Sequence, residues 1–304
     1  MTGTPLDLTP FGALLKGIGL LYWIALLACV GLALWWFKRW WLKLGVAIAV
    51  SVAFFAPTVR HAQEQQTQHD AAKARAEAAR AHFEMRCKSA GEKVSQVVEN
   101  VEGVLILKLR PSPTVGDDAD PMWPGAAMVR ESAGDEYIKS FLGFERQASE
   151  GVGRRGEITS FVADRPGYRF VDVIDSTDGQ RYRYMAPLVS TGSSVRGQEI
   201  EQRLRREATT APPPKYGVTF DDIVDPVDRE HWVAGTSVQV VDLATNHVVA
   251  QLTLYAWDPG TGSRAGSRSP WFFARTCPTA DSAFASFRTR HFVDRVLQPP
   301  KKGT

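Results

Sequence analysis

Two long apolar stretches at the start of the chain constrain its fold most. Gly17 to Phe37 and Trp40 to Val59 are separated only by a short basic junction. Each is about 20 residues long, the length of a helix that crosses a bilayer. The pair predicts a two-helix transmembrane hairpin over residues 17–59, after an N-terminal tail of residues 1–16. A cleaved signal peptide, or a single span followed by a buried or interfacial helix, stays open as an alternative.

The basic residues near these stretches predict an orientation. Lys38, Arg39 and Lys43 lie in and beside the junction, whereas the tail carries only Lys16. Basic loops favour the cytoplasmic side, so the junction is expected inside and the rest of the chain outside. Further basic residues that follow residue 59 blur this count. We therefore expect a protein of a bacterial inner membrane that contacts the lipid bilayer through residues 17–59.

Cysteine usage bears on the same question. The chain has three cysteines, of which Cys29 lies in the first apolar stretch and Cys87 and Cys277 lie near opposite ends of the remainder. Two cysteines so placed are typical of one disulfide in an oxidising compartment. Two reduced, buried thiols in a cytosolic domain are the alternative. We predict a Cys87–Cys277 disulfide and a C-terminal domain in the periplasm.

Residues 60–90 change character. They are rich in Ala, Gln, Glu, Lys and Arg, and no Gly or Pro interrupts them before Gly91. These are strong helix formers, and their apolar positions are mostly alanine, which gives only a thin apolar stripe. The pattern predicts a solvated helical stalk, with weak coiled-coil pairing as an open alternative.

Residues 91–304 are predicted to form one α+β domain, an antiparallel sheet with flanking helices. Valines at helical spacing predict a helix over 92–100, and a charged segment predicts another over 197–207. Buried runs and alternating polar and apolar residues predict strands, and a periodic apolar pattern near the end predicts a closing helix over 282–297. The predicted strands are 103–109, 158–163, 168–174, 181–185, 236–242 and 248–257.

The sequence shows no pattern typical of a catalytic or metal site. It has no G-x-S-x-G or S-x-x-K motif, and its six histidines are scattered without zinc-ligand spacing. The acidic run from Asp221 to Glu230 lacks the glycine of a calcium loop and predicts a solvated turn in which an aspartate caps a short helix. We therefore expect no enzyme activity, no cofactor and no metal. A net charge of only +3 argues against nucleic-acid binding.

Arginine and tryptophan are favoured anchors of protein interfaces. Arg264 and Arg268 lie in a glycine-rich loop that leads to Trp271, and Trp123 lies in a proline-rich loop over residues 111–125. These four residues are the predicted partner-binding surface.

Several strings together resemble a known family. They are Arg86–Lys93, Val98–Val104, Tyr216–Ile223 and Arg268–Trp271. The set resembles uncharacterised proteobacterial membrane-anchored periplasmic proteins, some of which are similar to immunity proteins paired with type VI secretion lipase effectors. The resemblance covers about residues 83–297 and implies a periplasmic domain in which both cysteines and the Arg-Ser-Pro-Trp string recur. It implies no catalytic residues.

The predicted function is that of a membrane-anchored periplasmic protein-binding domain, which gives immunity to a toxin delivered to the periplasm. In that case the domain covers the active site of the toxin, and the tether keeps it at the membrane. The alternative is a cell-envelope scaffold or secretion-system accessory protein.

Overall fold

The computed structural model describes residues 40–143, 167–194, 197–279 and 285–300, together with a few single positions before residue 40. The chain divides into two compact units, residues 1–74 and 75–304. Its helices are α1 (Trp40–Cys87), α2 (Gly134–Phe141), α3 (Pro226–Glu230) and α4 (Arg288–Val296). Its strands are β1 (Gly91–Val94), β2 (Gly103–Ile106), β3 (Phe170–Ile174), β4 (Arg181–Met185), β5 (Leu188–Ser194), β6 (Gly197–Gln202), β7 (Arg205–Ala208), β8 (Tyr216–Ile223), β9 (Val233–Asp242), β10 (His247–Trp257) and β11 (Arg275–Cys277).

The predicted two-helix transmembrane hairpin over residues 17–59 is wrong. Within the described residues a single helix, α1, precedes the sheet. None of the described helices combines the length and the apolar character needed to cross a bilayer. Residues 40–59 form no separate span, because α1 continues through Pro57 into the polar, alanine-rich segment and ends only at Cys87. Nearly all of the first predicted span, Gly17 to Phe37, lies outside the described residues.

The central sheet of residues 75–304 is mixed, whereas the sequence predicted an antiparallel one. Its strand order is β1-β10-β9-β8-β2-β3-β4-β7, and β11 pairs with β10 beside β1. The strand β2 runs parallel to both of its neighbours, β3 and β8. The chain between β2 and β3 includes α2, and a long connection of this kind is what parallel strands require. The α+β class is confirmed, but the antiparallel sheet is not.

The hairpin of β9 and β10 supplies both faces of the sheet. Its register pairs Leu252 with Val238 and Leu254 with Thr236, and these residues belong to the main buried layer. Successive strand residues point to opposite faces, so Tyr255 and Trp257 project from the other side. There they pack with Val233 against α1.

The end of α1 is fixed to the sheet by apolar contacts. Ala79 and Phe83 lie four residues apart, on one face of the helix, and both are buried. The ring of Phe83 lies 5.7 Å from that of Trp257. Gly91 then begins β1 with a φ of +125°, a conformation that favours glycine.

Two predicted helices of the domain are strands instead. Residues 91–94, expected in a helix over 92–100, pair with β10, and Val98 forms a bridge with Leu297. The segment 197–207, also expected as a helix, contains β6 and most of β7. The predicted strand over 158–163 lies outside the described residues.

Candidate functional site

Cys87 and Cys277 form a disulfide, as the sequence predicts, with their Cα atoms 5.7 Å apart. Cys87 ends α1, just before β1 joins β10 with Gly91 opposite Thr253. Cys277 ends β11, which joins the same edge of β10 opposite Tyr255. The bond therefore connects the chain at two neighbouring places on one edge of the sheet.

A cleft of about 520 Å³ lies beside this disulfide, and we call it the arginine cleft. The described residues that line it come from α1, from the segment between β2 and α2, from the end of β10, from the segment that contains β11, and from residues at and just before the start of α4. They are Phe83, residues 126–130, Ala256, residues 271–272 and 274–277, Thr279, Ala285 and Arg288. Its volume is within the range of pockets that bind small ligands or anchoring side chains of a partner.

The floor of the cleft is apolar and rigidly held. Trp271 is fully buried, and its Nε1 donates a hydrogen bond of 3.0 Å to the carbonyl oxygen of Asp120. Its ring lies 5.2 Å from the ring of Trp232. The residues Ala126 and Ala256 of the floor are also buried. Because these side chains are already buried, they fix the shape of the cleft, and the apolar surface that a partner can cover lies on the exposed rings beside them.

Exposed aromatic rings stand at the edge of this floor. Phe272 lines the cleft, is 47% exposed and packs edge-to-face on Phe273, which is 56% exposed. Two adjacent phenylalanines with this exposure form a larger apolar surface patch than single exposed apolar residues do. Such a patch beside a cleft is typical of an interaction site.

Three arginines surround the cleft. Arg130 donates from Nη2 to the carbonyl oxygen of Phe272 at 2.8 Å, and its guanidinium lies 4.4 Å from the centre of that ring. Arg288, at the start of α4, donates to the carbonyl oxygen of Pro278, and burial lowers the pKa of its guanidinium. Arg275 is exposed, with its guanidinium 5.9 Å from the ring of Trp257. Among the described lining residues there is no acidic side chain, so the cleft favours acidic groups.

The four residues predicted from sequence are placed differently. Arg264 is exposed, but Arg268 binds the buried carboxylate of Asp258. Trp271 forms the floor of the cleft, and the partly buried Trp123 packs against the core. As partner-contact residues they stay a prediction, and only Trp271 lines the arginine cleft. The sequence analysis missed Arg130, Arg275, Arg288 and the two phenylalanines. Three of these five residues, Phe272, Phe273 and Arg275, lie within the short string Trp271–Arg275.

A second charged cluster joins α1 to α3. Nε2 of His82 lies 2.5 Å from Oδ1 of Asp228, and Nε of Arg86 donates to the same oxygen at 2.7 Å. Asp225 accepts from Nη2 of Arg86 at 2.6 Å and caps α3 by accepting from the backbone N of Val227. The capped short helix is as predicted for the acidic run, but the run is not a solvated turn throughout, because Asp221 and Asp222 lie in β8 and Asp228 is fully buried. The hydrogen bond from the backbone N of Val227 lowers the pKa of Asp225.

A buried aspartate beside a histidine is also part of many hydrolase sites. Here the ring of His82 lies 4.8 Å from the ring of His231. Within the described residues neither ring is hydrogen-bonded to a Ser, Thr or Cys side chain, and no group of His, Cys, Asp and Glu is arranged to hold a metal. The contacts of His82 and Arg86 with Asp228 and Asp225 form a clamp that joins α1 to α3.

Comparison with family models, curated proteins and solved structures gave no match to this chain. The functional argument consequently depends on the geometry of the cleft itself.

Proposed function

We propose that residues 75–304 form a protein-binding domain of an oxidising compartment, the periplasm, and that the arginine cleft holds an acidic and apolar segment of the partner. The observation that carries the proposal is the combination of exposed Phe272 and Phe273 with Arg130, Arg275 and Arg288 around one apolar floor. The disulfide supports the compartment, because such bonds persist where the surroundings are oxidising.

The chemistry of the cleft defines the partner segment. Aromatic rings and arginines are enriched at the centres of protein interfaces, where they dominate the binding energy. An apolar side chain of the partner would pack on the exposed ring of Phe272, which lines the cleft, and an aspartate or glutamate beside it would pair with Arg275 or Arg130. Because these two arginines are exposed, their attraction acts mainly on the rate of association and weakens with salt.

Peptide display against the full chain tests this proposal. We expect selected peptides to combine acidic and large apolar residues, to bind more weakly at high salt, and to lose at least about tenfold in affinity to the Arg275→Ala and Phe272→Ser variants. Arg264→Ala is the matched control, because Arg264 is an exposed arginine outside the lining of the cleft. Peptides without acidic residues, or equal losses in the control, would contradict the proposal.

Within this class of function, we propose a toxin that acts in the periplasm as the partner. The family resemblance of the strings around Cys87 and Trp271 supports this choice. Cells that make the full chain would be challenged with type VI secretion lipase effectors directed to the periplasm. The wild-type chain should protect, and a chain with both Arg275→Ala and Phe272→Ser should not, at equal protein level. Equal protection by the double variant would show that immunity does not use the cleft.

A further inference from the structure

Arg110 is a buried cation that follows β2, with one edge of its guanidinium unpaired. Its side chain is only 4% exposed. Its guanidinium lies 3.8 Å from the centre of the Phe220 ring, and Nη1 lies 3.6 Å from Oδ1 of Asp222. The remaining donors, Nε and Nη2, are buried and have no hydrogen-bond partner within the described part of the chain. Burying such donors without an acceptor costs free energy.

In another arginine of this chain, the Nε and Nη2 donors are both paired with a carboxylate. Nε and Nη2 of Arg183 donate to the two carboxylate oxygens of Asp172, at 2.8 and 3.0 Å. This side-on arrangement places two parallel N–H groups opposite the two oxygens of one carboxylate. Arg110 presents an equivalent pair of donors without the carboxylate.

A cavity lies beside Arg110 and is distinct from the arginine cleft. It measures about 300 Å³, and we call it the Arg110 pocket. Its walls are mostly apolar and come from the proline-rich loop and the turn that follows it. They include Pro111, Pro113, Trp123, Pro124 and Met128. The pocket thus combines a charged end with an apolar body.

The carboxyl group of Glu131 also lines this pocket, but both of its oxygens already accept hydrogen bonds from other groups. Its two oxygens accept from the backbone N atoms of Arg288 and Thr289, at 3.0 and 3.2 Å. Burial raises the pKa of Glu131 to about 7, so a large share of this carboxyl is uncharged near neutral pH. Glu131 therefore leaves the free edge of Arg110 unpaired and opposes an entering anion less than an ordinary glutamate would.

We propose that the Arg110 pocket binds a small organic carboxylate, whose two oxygens accept the Nε and Nη2 hydrogen bonds of Arg110 and whose apolar body contacts Trp123 and Pro113. A single negative charge suits the pocket better than a phosphate dianion, because the carboxylates of Asp117 and Asp222 also line it. Asp117 accepts hydrogen bonds from the backbone N and the Oγ1 of Thr114. The volume admits a ring-sized body but no folded macromolecule.

Titration of the full chain with benzoate and with benzamide, its neutral match in shape, tests the proposal by NMR or calorimetry. Benzoate should bind saturably and benzamide at least about tenfold more weakly, because only the carboxylate can accept both hydrogen bonds with a charge. The variant Arg110→Gln should lose at least about tenfold in benzoate affinity.

Because Arg110 is buried, its replacement can destabilise the fold, so a second variant that leaves Arg110 in place is needed. Trp123→Ala retains the guanidinium and removes one apolar wall. It should weaken benzoate binding while leaving the weaker binding of acetate unchanged. Circular dichroism and a cooperative thermal transition show whether each variant has folded.

Three results would overturn the proposal. The first is equal affinity for benzoate and benzamide, and the second is benzoate binding that persists in folded Arg110→Gln. The third is a crystal structure grown with benzoate in which ordered water alone occupies the donors of Arg110.

Discussion

The carboxylate of Asp228 is fully buried, and the side chain of His82, 146 residues earlier in the chain, reaches it across 2.5 Å. Arg86 donates to the same carboxylate oxygen from the next turn of α1. The contact raises the pKa of Arg86, so its guanidinium remains charged. These two side chains fix the last turns of α1 to the short helix α3.

Replacing Asp228 by Asn should destabilise the domain by about 2–3 kcal/mol. The change removes the buried one of the two carboxylates that pair with Arg86, and breaking a buried ion pair from one side is costly. The partial exposure of Arg86 reduces the penalty. Urea denaturation followed by circular dichroism measures it. The matched control is Asp221→Asn, since Asp221 is 73% exposed and should tolerate the change. Equal stability of the two variants would contradict the clamp.

Removing the disulfide with Cys277→Ser should lower the free energy of unfolding by about 2–5 kcal/mol. The bond spans 190 residues, and closing so long a loop restricts the unfolded chain strongly. Wild-type protein in reductant should show the same loss. Cys29→Ser is the control, because Cys29 takes no part in the bond. A variant as stable as the control would show that the bond adds nothing to stability.

Replacing Glu131 by Gln should flatten the pH dependence of stability between about pH 4.5 and 7. Burial raises the pKa of this carboxyl from 4.5 to about 7, so the folded protein binds more protons than the unfolded chain in this window. Its stabilising contribution is complete below 4.5 and is lost as the pH rises through 7. The shift corresponds to about 3 kcal/mol.

Thermal unfolding of wild type and Glu131→Gln at several pH values measures the difference. The variant loses one acceptor for the N–H groups of α4, so it should be less stable at every pH. The decisive quantity is the slope of the free energy of unfolding against pH. A wild type whose stability relative to the variant rises between pH 4.5 and 7 would contradict the raised pKa.

Replacing Arg268 by Ala should destabilise the loop after β10 by about 2–3 kcal/mol without changing the affinity of peptides for the arginine cleft. Arg268 donates to the buried Asp258, which also accepts from the backbone N atoms of Gly260 and Gly262. Loss of the arginine leaves that carboxylate unpaired. Arg264→Ala, on the exposed side of the same loop, should be neutral. If Arg268→Ala lost peptide binding and Arg264→Ala did not, Arg268 would be a partner-contact residue after all.

Local sequence patterns predicted the hairpin of β9 and β10 well. Residues 236–242 and 248–257 were expected as strands, and the structure has Val233–Asp242 and His247–Trp257. Strands joined by a short turn need only neighbouring residues to pair, so the alternation along each strand suffices. The order of the remaining strands depends on pairing between distant segments.

The misassigned helix over 92–100 shows the limit of periodicity. Val94, Val97 and Val98 recur at helical spacing, but Val94 pairs with Ala250 and Val98 with Leu297. Partners that are distant in sequence override a local preference, and valine also suits strands. The parallel pairing of β2 could not be predicted for the same reason.

The sequence predicted the residue types of the candidate site but not most of the residues that form it. Arginine and tryptophan near residue 270 indicated an interface, but burial decided which of them reach the surface. Trp271 fills the floor of the cleft, whereas Phe272, the next residue, is exposed. Arg130 and Arg288 are brought to the same cleft by packing between segments that are far apart in sequence.

The bond between Cys87 and Cys277 turns almost the whole domain into a closed covalent ring. A protease that cuts the backbone once between these cysteines opens the ring without producing two separate molecules. The strands on both sides of the cut remain attached through β10 and the disulfide, so the cleaved chain can keep its fold. In a compartment rich in proteases, such a domain loses its pieces only after a second cut or after reduction.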